Sequence, residues 1–280
     1  MICFMFPGQP LAPPVEFPED ADFEAIALLT RQRASFDLHT FSWTGEPSSD
    51  TVALQAYGVA MGLYRTRRLR AEGIAPRLIA EHSMGIYPAL AAAGALDEGD
   101  ALELAVRLGR TMAAMGRQRT YALGCMVGLT LEPLLVIAEN NGVYLANHNT
   151  SRHFLLAGER GAMEDACAEA LARGAFSARL FPCDAPLHTP LMAEVATELS
   201  TVAGDYRYRE PSVPLVDHID QDFLAAADLP VFMVRDLMEP VRWERTYRAL
   251  RAAGADHLYE VGAGDSLRKY NRWIESERGR

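Results

Sequence analysis

The chain has little that could tie it together covalently. Its four cysteines, Cys3, Cys125, Cys167 and Cys183, are scattered and form no C-x-x-C pair. That spacing argues against a disulfide framework and against a structural zinc site, and suits a reducing cytosol. No apolar run is long enough to span a bilayer. The opening residues Met1–Gly8 lack a positively charged start and reach Pro7 too soon for a secretory signal. Positive charge is in deficit as well. Lys and Arg number 27 against 37 Asp and Glu, a formal charge of −10, which argues against a general nucleic-acid partner. Lysine is almost missing: Lys269 is the only one, a bias of genome composition rather than of function. There is no internal repeat and no low-complexity tract. These absences leave a cytoplasmic globular protein with neither membrane nor nucleic acid as partner.

What is present is enough apolar residue for a substantial core: 280 residues, 49% of them hydrophobic. The run Ile2–Phe6, halted by Pro7-Gly8-Gln9-Pro10, predicts a buried strand and a tight loop. Residues 11–22 read as surface loop, Phe23–Arg33 as helix, and Thr51–Glu72 as a long amphipathic helix with an N-cap within Ser48–Asp50. Gly73-Ile74-Ala75-Pro76 breaks that helix. A short apolar run, Leu78–Glu81, then leads into His82-Ser83-Met84-Gly85 and a small-residue helix. This is how a strand, a nucleophile turn and a helix read in sequence: a sharp turn lifts a serine Oγ above the sheet edge. The usual form is G-x-S-x-G, and Glu81 stands at the first glycine.

A further helix over Asp97–Met115 ends at Gly116-Arg117-Gln118-Arg119. Short pieces follow: strands over Leu123–Leu129, Val143–Asn147, Phe154–Ala157 and Ala178–Phe181, with helices over Glu132–Asn140 and Ala162–Arg173. The β-α-β-β-α-β order is that of a ferredoxin-like unit. A helix to Val202 and apolar runs at Val213–Val216 and His257–Val261 complete a larger, mostly parallel sheet. The expectation is an α/β-hydrolase-like large subdomain with a parallel sheet (residues 1–117 and 186–280) and an inserted ferredoxin-like small subdomain (118–185).

Five stretches, in order, carry a family resemblance. They are Phe6-Pro7-Gly8-Gln9-Pro10, Glu81-His82-Ser83-Met84-Gly85-Ile86, Asn147-His148-Asn149 with Leu155-Leu156-Ala157-Gly158, and His188-Thr189-Pro190-Leu191-Met192. The last is Met238-Glu239-Pro240-Val241-Arg242-Trp243 with Glu260-Val261-Gly262-Ala263-Gly264. Together they resemble the malonyl-CoA:acyl-carrier-protein transacylases and related acyltransferase domains. Tyr87-Pro88-Ala89 also looks like the malonyl-transfer subunit of malonate decarboxylases.

The resemblance implies transfer of an acyl group, malonyl first among candidates, from CoA to a phosphopantetheine thiol. The pathways it implies are fatty acid or polyketide biosynthesis. Ser83 would be the nucleophile and His188 its base. The backbone amides of Gln9 and Met84 would hold the oxyanion, and the backbone carbonyl of Arg242 would orient the histidine. Leu108, Met112, Leu187 and Asn149 would line the acyl pocket. No metal or cofactor is implied beyond the CoA thioester and the carrier as substrates, and the family precedent is a monomer. Arg65, Arg67, Arg68, Arg70 and Arg77 offer a docking patch for an acidic carrier.

Departures from the family pattern matter for substrate. In malonyl-specific members an arginine in R-G-x-x-M pairs with the free carboxylate; here Leu108 holds that position, before Gly109 and Met112. At about 100° per residue, neither Arg107 nor Arg110 shares its face. Pro10 and Glu81 stand where glycines are usual. The alternatives are a transacylase or editing thioester hydrolase for uncharged acyl groups, or a non-catalytic member of an acyl-assembly complex. His82 is expected to be structural, and His148 and His153 to be surface loop residues.

Overall fold

The structure, a computed structural model, describes residues 1–10, 17–42, 47–117, 119–183 and 185–277. In chain order the first elements are β1 (Ile2–Phe6), α1 (Ala21–Ala34), α2 (Pro47–Ala71), β2 (Leu78–Glu81), α3 (Ile86–Ala92) and α4 (Glu98–Ala113). Then come β3 (Tyr121–Val127), α5 (Leu131–Asn141), β4 (Tyr144–Thr150), β5 (His153–Glu159), α6 (Arg160–Ala172) and β6 (Ser177–Cys183). The chain continues with α7 (Ala196–Gly204), β7 (Leu215–Val216), α8 (Leu229–Met238), α9 (Trp243–Ala252), β8 (His257–Glu260) and α10 (Ser266–Glu277). Of the loop expected over 11–22, residues 11–16 lie outside the described residues. Among the described residues, no helix is long and apolar enough to cross a membrane.

The larger sheet is parallel, in the order β7-β2-β1-β8. Its central strands are continuous apolar runs because helices cover both faces. Cys3, Phe4, Met5 and Phe6 of β1 are all fully buried. The register sets Phe6 beside Glu81, so the ends of β1 and β2 lie level where the two candidate loops leave the sheet. The strand expected over Val213–Val216 shrinks to two residues, since Pro214 has no amide hydrogen to give a ladder. Its carbonyl still accepts from the Ile79 amide at 2.9 Å. Helix α2 starts at Pro47 rather than after Ser48–Asp50, because proline suits the first helical position. Asp20 caps α1, accepting from the Phe23 amide at 2.9 Å. Helices α8, α9 and α10 are not assigned by the sequence reading.

The second sheet is antiparallel, in the order β4-β5-β3-β6. Its strands all fall within residues 121–183, and with α5 and α6 they make the ferredoxin-like arrangement expected there. Along β3, Ala122 and Met126 are buried in the apolar cluster that includes α5 and α6 residues. Leu123 and Cys125 point the other way, into a cavity beside the parallel sheet. The link between the two sheets is a short stretch of backbone pairing. The His148 amide donates to the Val241 carbonyl at 2.8 Å, and the Val241 amide donates to the Ala146 carbonyl at 2.9 Å. Trp243, fully buried just beyond, donates its indole N–H to Asn271 Oδ1 at 2.9 Å.

Gly85 is where the nucleophile turn touches β1. A Cβ there would sit 2.2 Å from the Phe6 carbonyl oxygen, which is sheet backbone and has no room to yield. Gly85→Ala is therefore expected to lower stability by at least ~2 kcal/mol, read as a fall in Tm. An unchanged Tm would show that the turn is not held against β1.

Candidate active site

Both candidate catalytic residues sit in left-handed backbone. Ser83 has φ 56° and His188 has φ 61°, and neither is glycine. Such conformations cost of order 1–3 kcal/mol each and persist only where the surroundings impose them. At Ser83 the constraint is β2 behind and the tight turn ahead. The His82 amide donates to the Phe6 carbonyl at 3.0 Å, and the Gly85 amide turns back to the His82 carbonyl at 3.0 Å. At His188 the constraint is α8, whose Leu237 carbonyl accepts the His188 amide at 2.8 Å. The outcome is a 2.7 Å contact in which the Ser83 hydroxyl donates to His188 Nε2.

The other ring nitrogen corrects one expectation. His188 Nδ1 donates to the backbone carbonyl of Asp236 at 2.5 Å, not to that of Arg242. The reason is helix chemistry. Arg242 is the N-cap of α9, and its carbonyl is consumed by the first intrahelical bond, from the Thr246 amide at 3.0 Å. Asp236 lies in the last turn of α8, where carbonyls have no partner along the helix. The sequence reading placed the histidine's support six residues too late.

Ser83 and His188 line one cavity of about 580 Å³. Gln9, Met112, Leu187 and Asn149 line it too. Met84 is buried directly behind the nucleophile. Leu108 does not reach the cavity. It is fully buried in the apolar core that also holds Met84 and Met112, one turn behind the Met112 that does line it. Arg107 and Arg110 do not line the cavity either. The Arg107 guanidinium is taken by Asp205 and by Tyr206 Oη at 3.3 Å, and Arg110 is exposed.

Two histidines expected on surface loops stand on strands instead. His148, on β4, lies 3.5 Å from Glu244. His153, on β5, lines the cavity within a chain of polar contacts. His82 Nε2 donates to Asn149 Oδ1 at 2.9 Å, and Asn149 Nδ2 donates to His153 Nδ1 at 3.2 Å. His153 Nε2 then faces Cys125 Sγ at 3.4 Å. His82 is thus structural, as expected. Burial pushes the Cys125 thiol up to about 11, so it stays protonated and does not compete with Ser83 as nucleophile.

Behind His188 lies a group that sequence reasoning missed. Glu81, His218 and Asp236 are all buried and lie together. The only sequence signal was Glu81, a carboxylate at the end of an apolar strand. His188, His218 and Asp236 also bring three potential metal-donor atoms within 4.8 Å. Both ring nitrogens of His188 are already engaged, however, which leaves no lone pair for an ion.

Burial lowers the His188 imidazole to about 3, and the charge on His218 adds to the effect. Burial likewise lowers His82 to about 4, against the Asn149 contact that raises it. Both rings are therefore neutral at physiological pH, the state His188 needs as a base. The linkage sign follows for His82. Its folded value lies below the ordinary 6.5, so the unfolded chain takes the proton first as pH falls. Relative to His82→Asn, the wild type is expected to lose roughly 3 kcal/mol of stability between pH 7 and pH 4. Parallel Tm curves for the two proteins would contradict a buried neutral His82.

Comparison with known proteins agrees with this geometry. Residues 17–264 match the acyl transferase domain family. The chain is 30% identical to the malonyl CoA-acyl carrier protein transacylase of Escherichia coli K12, over 94% of this chain and 89% of that one. It is 30% identical to the enzyme of the same name from Bacillus subtilis, over 75% and 69%. Among solved structures, a type II polyketide synthase acyl-carrier protein in complex with its malonyl-transacylase aligns with TM-score 0.90 and 26% identity. That match covers 98% of this chain and 93% of that one. The malonyl-CoA:acyl carrier protein transacylase of Xanthomonas oryzae aligns with TM-score 0.90 and 26% identity, covering 98% and 91%. A sequence match over most of the chain and a serine–histidine pair at the expected turn place this chain in the acyl transferase domain family.

Proposed function

We propose that the protein is an acyl-CoA:acyl-carrier-protein S-acyltransferase that carries the acyl group on Ser83. The observation behind this reading is the 2.7 Å Ser83–His188 contact, set in one cavity with Gln9 and Asn149. As the Ser83 oxygen attacks the thioester carbonyl, its proton passes to His188 Nε2. The carbonyl becomes an oxyanion, received by the Gln9 and Met84 amides. The C–S bond breaks and the CoA thiolate takes the proton from His188. A carrier thiol then gives its proton to His188 and attacks the acyl-serine. The C–O bond breaks, and the proton returns to Ser83. Throughout, the Asp236 carbonyl keeps Nδ1 protonated and Nε2 free to act. The C-terminal end of α8, where the macrodipole is negative, favours the transient imidazolium. Only amino-acid groups and the two thiol substrates take part.

Relatives named as malonyl transacylases, and the solved complex of one with its carrier protein, support malonyl as the acyl group and a carrier protein as acceptor. Of the basic patch expected at Arg65, Arg67, Arg68, Arg70 and Arg77, Arg65 and Arg77 are exposed and Arg70 donates to the Ala92 carbonyl. Arg67 is paired with Glu98, and Arg68 NH1 lies 3.6 Å from Asp22.

A second reading, transfer or hydrolysis of an uncharged acyl group, is favoured by one observation. No arginine stands among the described residues lining the cavity, and Lys269, which does line it, is bound to Asp265 at 2.7 Å. A malonyl carboxylate buried there without a cation would carry a heavy desolvation penalty.

Intact-protein mass spectrometry after brief exposure to malonyl-CoA, and separately to acetyl-CoA, distinguishes these. A malonyl adduct that vanishes in Ser83→Ala is expected. An acetyl adduct alone would transfer the assignment to uncharged acyl groups. The absence of any adduct would leave a non-catalytic member of the family.

A further inference from the structure

Glu81 ends the strand that presents Ser83, and Asp236 carries the carbonyl that holds His188. His218, from the loop after β7, joins them. Its Nδ1 donates to the Glu81 carboxylate, 2.8 Å from Oε1 and 2.9 Å from Oε2, and its own backbone amide also donates to Oε1 at 3.1 Å. On the opposite edge of the ring, Nε2 lies 3.3 Å from Asp236 Oδ1, an ion-pair distance without hydrogen-bond alignment. All three side chains are at most 1% exposed. The His218 ring stands edge-on to the His188 ring, with centroids 6.0 Å apart.

Two carboxylates around one imidazole in a dry site form a charge device. Removing one partner from such a group strands a buried charge, so the arrangement is not a neutral filler. It also answers a difficulty in the mechanism. A cation on His218 alone would oppose the imidazolium that His188 must become. With both carboxylates ionised, the three groups sum to one negative charge, which favours that imidazolium.

We propose that Glu81, His218 and Asp236 are positioning residues: they lock the Asp236 carbonyl onto His188 and present it with a net negative charge when both carboxylates are ionised. This rests on the seryl acyl-transfer reading. The groups that face the cluster are few. Glu81 comes from β2, Tyr87 from α3, Asp217 from the β7 loop, and His82 and His188 from the site itself. Asp217 is spoken for by the amides of Ile219, Asp220 and Asp222. Burial alone would lower His218, but the adjoining Glu81 carboxylate prevails and holds it at about 9. Burial raises Asp236 to about 7, against the pull of His218 and with Glu81 pushing the same way as burial. Burial raises the Glu81 carboxyl too, against the pull of the adjoining His218, and Asp236 is a carboxyl that changes charge near neutrality. It is ionised above this range and protonated below it.

The test is the pre-steady-state rate of CoA release on acylation, followed from pH 5.5 to 8.5 with whichever thioester forms the adduct. The wild-type rate is expected to rise through an inflection near pH 7, by about tenfold per unit of pKa raised at His188. Asp236→Asn keeps the backbone carbonyl and removes only the charge. It is expected to flatten the profile at the low-pH rate, lowering kcat and leaving KM for the thioester unchanged. A flat wild-type profile, or an inflection that survives in Asp236→Asn, would overturn the proposal. Should Asp236→Asn fail to fold, ¹⁵N-histidine NMR on the wild type decides instead. An imidazolium His218 beside a neutral His188 at pH 7.5 is expected, and a neutral His218 would overturn it. A wild type that gives no adduct at any pH would refute the acyl-transfer reading, while the NMR would still report the charge on the cluster.

Discussion

A serine hydroxyl is a weak nucleophile, and the whole site depends on one contact that strengthens it, between Ser83 Oγ and His188 Nε2. Neither residue could hold its position alone. Each sits in left-handed backbone that a short peptide would abandon, and each is pinned by an element packed behind it. For Ser83 that element is the β1–β2 pair, with Gly85 pressed against the Phe6 carbonyl. For His188 it is the end of α8, which supplies one carbonyl to the backbone amide and another to the ring. The nucleophile therefore belongs to the sheet, and its base to a turn 105 residues later that is held by α8. Packing between those layers sets the 2.7 Å distance.

Low polarity around the pair has consequences for charge. Burial keeps the His188 and His82 rings neutral, and in the same surroundings every buried polar atom needs a partner. The cavity wall meets much of that need with the run from His82 through Asn149 and His153 to Cys125. Behind the base, His218 is hydrogen-bonded to Glu81, and its Nε2 lies at ion-pair distance from Asp236 without a hydrogen bond. In a low-dielectric site such groups act strongly on their neighbours, and the His188 ring stands 6.0 Å from that of His218.

The antiparallel sheet supplies the other wall of the cavity. The alternation along β3 sends Ala122 and Met126 into that sheet's own core and Leu123 and Cys125 to the cavity. The pairing of Ala146 and His148 with Val241 joins β4 to the chain between α8 and α9. The same segment thus follows the helix that holds His188 and anchors the second sheet. Cavity-lining residues from both parts of the fold, Met112 on α4 and Asn149 on β4, are brought together by that junction.

Local chemistry made much of this legible in the sequence. The apolar run ending at Ser83, the glycine at position 85 and the β-α-β-β-α-β order are short-range patterns. They specify strand, turn and small sheet without reference to the rest of the chain. The serine, the small sheet and the parallel sheet with its crossovers follow from them, whereas His188 rests on the family resemblance of His188-Thr189-Pro190-Leu191-Met192. Other features depended on which distant groups share a dry space. Arg242 was chosen by motif position, but its carbonyl was already committed to α9, and Asp236 took the role because a helix end leaves carbonyls free. Leu108 looked like a pocket residue by its place in α4, yet one turn of helix separates the core from the cavity. Glu81 looked like an intruder at a glycine position until folding set His218 against it from 137 residues away. Backbone preference is written residue by residue. The partner of a buried charge is decided only when the chain has closed around it.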